Sequence, residues 1–174
     1  MNQQIKKLTY TALFTAIICI LTYSVKIPVI ADGYIHLGDA AIFIASVLCG
    51  GTAGAFAAGV GSALSDLFGG YSHWILPTLI IKGIMGFAVG YFTNHRKYVC
   101  VRNQLVMAGA GMFMVVGYYV ARVFILQRSA AITALPSAGF NVIQFIVGIV
   151  IADFVLIALQ KSGRRLPFSA IEKS

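Results

Sequence analysis

From Leu8 to Leu159 the chain is a train of apolar runs, several of them long enough to cross a bilayer, parted by short polar connections. That pattern excludes a soluble fold, because the chain has too few polar groups to cover its surface. Only 10% of its residues are charged and 59% are hydrophobic, whereas a typical soluble domain carries roughly 25% charged residues. The mean hydropathy is +0.89. A spanning helix needs about 20 mainly apolar residues for a hydrocarbon layer of ~30 Å. The 174 residues therefore accommodate about six spans and no separate soluble domain. The expected fold is one all-α integral membrane domain over 1–174, with six transmembrane helices near 8–25, 39–49, 52–67, 77–92, 104–126 and 137–159.

Lys6 and Lys7 before the first run imitate the start of a secretory signal, and Val29, Ile30 and Ala31 imitate its cleavage site. The run is long for a signal core, so it reads as a retained span. Lys26 to Gly38 is a polar connection in which Pro28, Asp32 and Gly33 favour turns. Asp39 stands where a carboxylate caps the next helix.

Gly50 and Gly51 interrupt the pattern before the third run. Within that run Gly50, Gly54, Ala58 and Ser62 recur every four residues, as do Gly51, Ala55, Gly59 and Ala63. Small residues at this spacing let membrane helices approach closely, since lipid supplies no hydrophobic drive for association. The third helix is therefore expected at the centre of the bundle. The connection FGGYSHWIL, residues 68–76, carries Tyr and Trp suited to a membrane interface. Pro77 takes a first-turn position in the fourth span. A basic loop, residues 94–103, precedes the fifth span, and a third connection, 127–136, precedes the sixth. The tail from Lys161 is polar and expected to be partly disordered. No sustained repeat marks two inverted halves.

The net charge of +8 would point to nucleic acid in a soluble protein, but here its placement carries the information. Six spans put Lys6, Lys7, Arg96, Lys97, Arg102, Lys161, Arg164, Arg165 and Lys173 on the side of the termini, against Lys26 and Arg128 on the other. The positive-inside rule then makes both termini cytoplasmic. No nucleic-acid partner is expected.

Ionisable residues inside spans cost about +2.5 to 3.5 kcal/mol each at a helix centre, and they mark function by default. Asp66, Lys82 and Arg122 all fall in the outward half of this arrangement, whereas Asp153 stands apart near the cytoplasmic end and reads as a structural cap or partner. Asn141 and Gln144 share a face of the sixth helix, and Tyr118 and Arg122 share a face of the fifth. With Tyr34, His36, Tyr71, His73 and Trp74 from the outer connections, these residues describe a wet aromatic cavity open to the outside. Such a cavity suits a small planar polar molecule held by stacking and a few directed hydrogen bonds. The competing reading is structural: a Lys82–Asp66 ion pair, a snorkelling Arg122, and interfacial aromatic anchors. Asp66 beside Lys82 and Arg122 favours a neutral ring over an anion.

Motifs for other chemistry are missing. The chain contains no GxxxxGK[ST] phosphate loop, no HExxH and no GxSxG, and its five acidic residues are scattered. Cys19, Cys49 and Cys100 show no metal-binding spacing and read as small apolar residues. No metal, no cofactor and no catalytic residue is expected, and the chain does not read as an enzyme.

YIHLGD at 34–39, GSALSDLFGGY at 61–71 and PTLIIKGIMG at 77–86 resemble the substrate-binding S components of energy-coupling factor (ECF) vitamin transporters. The likeness is closest to the hydroxymethylpyrimidine or pyridoxine type, a group in which riboflavin assignments also occur. The resemblance implies capture of a small heterocyclic vitamin from outside the bacterial plasma membrane. ATP-driven import would be performed with a membrane coupling protein, EcfT, and two ATPases, EcfA and EcfA′. It also implies a docking patch in the first span, where Ala12 and Ala16 match the family's AxxxA pattern. The candidate substrate site read from the residues comprises Tyr34, His36, Asp39, Trp74, Lys82, Tyr118, Arg122, Asn141 and Gln144. Rival readings are an S component for riboflavin or pantothenate, and a stand-alone small channel or exporter.

Overall fold

The computed structural model describes residues 3–29, 33–93, 97–126 and 131–162. Among them are six helices: α1 (Gln3–Ser24), α2 (Gly38–Cys49), α3 (Gly51–Phe68), α4 (Ile75–Phe92), α5 (Val101–Val120) and α6 (Ala131–Lys161). Four stretches are long and apolar enough to cross a membrane, Gln4–Ser24, Ser72–Phe92, Val101–Phe124 and Ala134–Lys161. The apolar α2 is shorter, at 12 residues.

α3 is central, as its small residues require. Its glycines face α4 so closely that a Cβ on Gly86 would stand 2.5 Å from the Gly54 carbonyl oxygen and 2.7 Å from the Ala58 Cβ. A Cβ on Gly59 would meet the Leu79 carbonyl at 2.8 Å. On its other side α3 meets α1, where a Cβ on Gly61 would lie 2.7 Å from the Thr15 carbonyl. Both fourfold rows of small residues thus serve backbone approach. The turn from α2 into α3 is a single residue, Gly50, with φ 85° and ψ 178°, a region open essentially to glycine alone.

Lys7 at the start of α1 donates to Thr52 Oγ1 at the start of α3, 3.3 Å away. The starts of α1, α3 and α5 and the ends of α2, α4 and α6 therefore share one end of the bundle, the near end. There Gln104 Nε2 donates to both oxygens of Asp153, at 2.8 and 2.9 Å. Asn103 Nδ2 donates to the carbonyls of Lys97 and Tyr98, and the Tyr98 N–H donates to Gln160 Oε1. Asp153 has the partner role expected of it. All three cysteines are free thiols.

Three expectations need correction. The connection after α1 is a two-stranded antiparallel ribbon, β1 (Lys26–Val29) and β2 (Gly33–His36), with Lys26 opposite His36 and Val29 opposite Gly33. α6 starts at Ala131, so residues 131–136 belong to the helix and Pro136 lies inside it. Proline there removes one backbone hydrogen bond near the helix start, a loss that membrane helices tolerate. Asp39 makes no capping bond, because it lies inside the first turn of α2 with its side chain turned into the bundle. Residues 30–32, 94–96 and 127–130 and the tail beyond Ser162 lie outside the described residues.

Candidate functional site

At the far end of the bundle the start of α2, the start of α4, the end of α5 and the first half of α6 bring a polar network together. Asp39 and Lys82 are 0% and 1% exposed and form a salt bridge. The other carboxylate oxygen of Asp39 accepts from Gln144 Nε2 at 2.8 Å. Gln144 Oε1 accepts from the His36 backbone N–H at 3.1 Å, which ties the end of β2 to α6. The His36 Nδ1 accepts from the Gly38 N–H at 3.1 Å. Its Nε2 stands 3.4 Å from Gln144 Nε2.

Lys82 therefore pairs with Asp39, and the Lys82–Asp66 ion pair of the competing structural reading is not formed. α4 turns Gly83, Gly86 and Gly90 toward α3, and Lys82 projects beside that face to where α2 and α5 converge. Its ammonium is 2.7 Å from the Met114 sulfur and 5.6 Å from the centre of the Tyr118 ring. A pair buried this deeply must satisfy its remaining hydrogen-bonding capacity to offset desolvation. Gln144 does so for the carboxylate, and Met114 and the Tyr118 ring face do so for the ammonium.

Gly148 lets α6 approach closely enough for this contact, since a Cβ there would stand 3.1 Å from the Asp39 Cβ. It lies one turn below Gln144 on the same face.

An aromatic layer caps the network. Trp74, buried in the 3₁₀ turn Ser72–Trp74, is tilted 57° to Tyr118 with ring centres 5.7 Å apart. The Tyr118 hydroxyl donates to Thr78 Oγ1 at 3.2 Å. Arg122 is buried and sits 5.5 Å from the centre of the Trp74 ring, a cation–π distance. It falls in a π-helical turn, Ala121–Leu126, a feature frequent at functional sites because it re-aims side chains.

Of the nine expected substrate residues, His36, Asp39, Trp74, Lys82, Tyr118, Arg122 and Gln144 fall in this connected cluster. Asn141 is half-buried on α6, one turn from Gln144. Tyr34 is placed by its backbone alone, opposite Pro28. His73 is exposed beside Trp74.

Met114, Thr78 and Thr22 belong to the cluster but carry no signal in the sequence. Thr22 Oγ1 is buried without a hydrogen-bond partner and occupies the space that a Cβ on Gly38 would need. A lone Met or Thr in an apolar helix is indistinguishable from packing until its neighbours are known. Among the described residues no group of three His, Cys, Asp or Glu side chains is placed to hold a metal.

The family model described as the ECF-type riboflavin transporter, S component, matches residues 2–161. The chain belongs to this family. As an S component it is a transport protein of the membrane, taking part in vitamin uptake, and not an enzyme. One relative is the thiamine precursor transporter HmpT of Lactococcus lactis subsp. cremoris (strain MG1363), 30% identical over 164 residues, which are 93% of this chain and 92% of that protein. A second, from Pyrococcus woesei, is described as an uncharacterized protein in gap 3′ region and is 34% identical over 149 residues, 83% of this chain and 95% of that protein.

Proposed function

We propose that this S component captures a small neutral heterocycle of the hydroxymethylpyrimidine or pyridoxine kind at the far end of the bundle. The Asp39–Lys82 pair carries the reading. Because the carboxylate already neutralises the ammonium, the network offers a ligand directed hydrogen bonds and no free positive charge from Lys82. Trp74 and Tyr118 supply ring faces for stacking. Gln144, Asn141 and His36 supply donors and acceptors around the ring, Tyr34 of β2 is assigned to the same site, and Arg122 closes the aromatic layer. No cofactor takes part.

The whole chain acts as one six-span domain in a bacterial plasma membrane, with its termini and the near end cytoplasmic and the far end outside. That orientation follows the distribution of basic residues. Import is powered by EcfT with EcfA and EcfA′, which dock against the Ala12 and Ala16 patch of α1. Both alanines are exposed on that helix, whereas Thr11, Thr15, Ile18 and Thr22 form its buried face.

Equilibrium binding of a vitamin panel to the purified protein tests the substrate. Nanomolar binding of a pyrimidine or pyridine is the expected result, and exclusive binding of pantothenate would sink the reading. Riboflavin is the second reading, favoured by the description of the matching family model, and the same panel separates it. Copurification with the coupling protein and ATPases distinguishes an S component working in a complex from a stand-alone channel or exporter.

A further inference from the structure

A second site lies between α4 and α5, away from the polar network. Ile84, Met85, Ala88 and Phe92 of α4 face Leu105, Val106, Gly109, Ala110 and Phe113 of α5 across an apolar groove with a volume of about 310 Å³. Its floor is left open at Gly109, where an added Cβ would meet no atom within 4 Å. Its rims, Ile84, Phe92, Leu105 and Phe113, are all at least two-fifths exposed.

The groove runs along the helices. From Ile84 to Phe92, and likewise from Leu105 to Phe113, it covers nine residues, a rise of about 12 Å along the helix. One end lies toward the bundle's middle and the other opens at the near end. At that mouth stands Arg102, whose Nε donates to the Phe92 carbonyl at 2.8 Å. The bond anchors the guanidinium over the last turn of α4 while the side chain stays exposed. Lys97 is exposed at the same end.

We propose that this groove binds one phospholipid with an anionic headgroup, its acyl chain lying against Gly109 and its phosphate held at Arg102 and Lys97. An apolar channel parallel to the helices, with an anchored guanidinium at its open end, matches both parts of such a molecule. Arginine presents a donor fork to phosphate. A basic residue near an anionic bilayer surface also favours acidic over zwitterionic lipid. A partner helix would fill the apolar part but gives no reason for a cation seated at its mouth. The inference does not depend on which vitamin the far end binds.

The test is native mass spectrometry of the full-length protein released from nanodiscs of mixed phosphatidylglycerol and phosphatidylcholine. The wild type is expected to retain one phosphatidylglycerol. Arg102→Gln should lower the preference for phosphatidylglycerol about fivefold, the worth of one basic residue at such a surface. Gly109→Leu, which fills the floor, should abolish retention of both lipids. Ala88→Leu narrows the groove from the α4 side and serves the same purpose if Gly109→Leu does not fold. Equal retention in wild type, Arg102→Gln and the groove-filling variant would overturn the proposal. So would a lipid-free dimer or complex that the groove-filling variant disperses.

Discussion

Asp39 and Lys82 illustrate what one residue costs in the interior of a membrane protein. Removing either partner leaves the other charged and buried, at a cost of about 3–5 kcal/mol. Asp39→Asn and Lys82→Met should therefore each lower the unfolding midpoint in detergent strongly, while Asp39→Leu combined with Lys82→Met should recover much of the loss. Singles no worse than the double would show that the pair is not coupled. The pairing also marks a limit of reading depth from sequence. Asp39 and Asp66 both reach the far end of the bundle, so span positions alone give Lys82 two candidate partners. The choice depends on how α4 is rotated about its axis, and that rotation is set by which of its glycines seat on α3.

At the scale of elements, backbone contacts between glycines do the work that large side chains do in soluble cores. Gly50 is the sole residue between α2 and α3, in a conformation that costs a residue with a side chain about 1–3 kcal/mol. Gly50→Ala should lower the thermal midpoint measurably, without changing the helical content of the protein that remains folded. Gly148 acts on the site. Gly148→Val should push α6 from α2, stretch the Gln144–Asp39 bond and weaken vitamin binding at least tenfold in equilibrium titrations. Unchanged affinity would show that the Gln144 contact is dispensable to the ligand.

α1, α4, α5 and α6 were legible in the sequence because apolar runs of bilayer length have few alternatives, and the central α3 because its small residues recur every fourth position. The ribbon was not legible. Its strands are four residues long, include Pro28 and show no sustained alternation, so nothing local separates them from an irregular connection. The start of α6 was hidden by Pro136, which usually signals a boundary and here lies inside the helix. The cluster's charged members stood out as polar groups in apolar runs, whereas Thr22, Thr78 and Met114 became visible only through their neighbours.

For the whole molecule, the proposed docking patch of exposed alanines on α1 allows capture and import to be tested apart. Ala12→Trp and Ala16→Trp project away from the buried face, so both variants should bind vitamin with wild-type affinity. Both should fail in cellular uptake, measured with labelled vitamin. Normal transport by both would remove α1 from the docking surface.

The short α2 has a further consequence for the molecule. Twelve residues rise about 18 Å, against a hydrocarbon core of about 30 Å, and α2 is enclosed by protein along nearly all its length. Surrounding lipid therefore cannot thin to meet it, and the chain before α2 continues as β2, which packs on α6 and α1 and ends at His36. A solute route to Asp39 on the β2 side would require β2 to leave α6, and association by that route would be slower than diffusion.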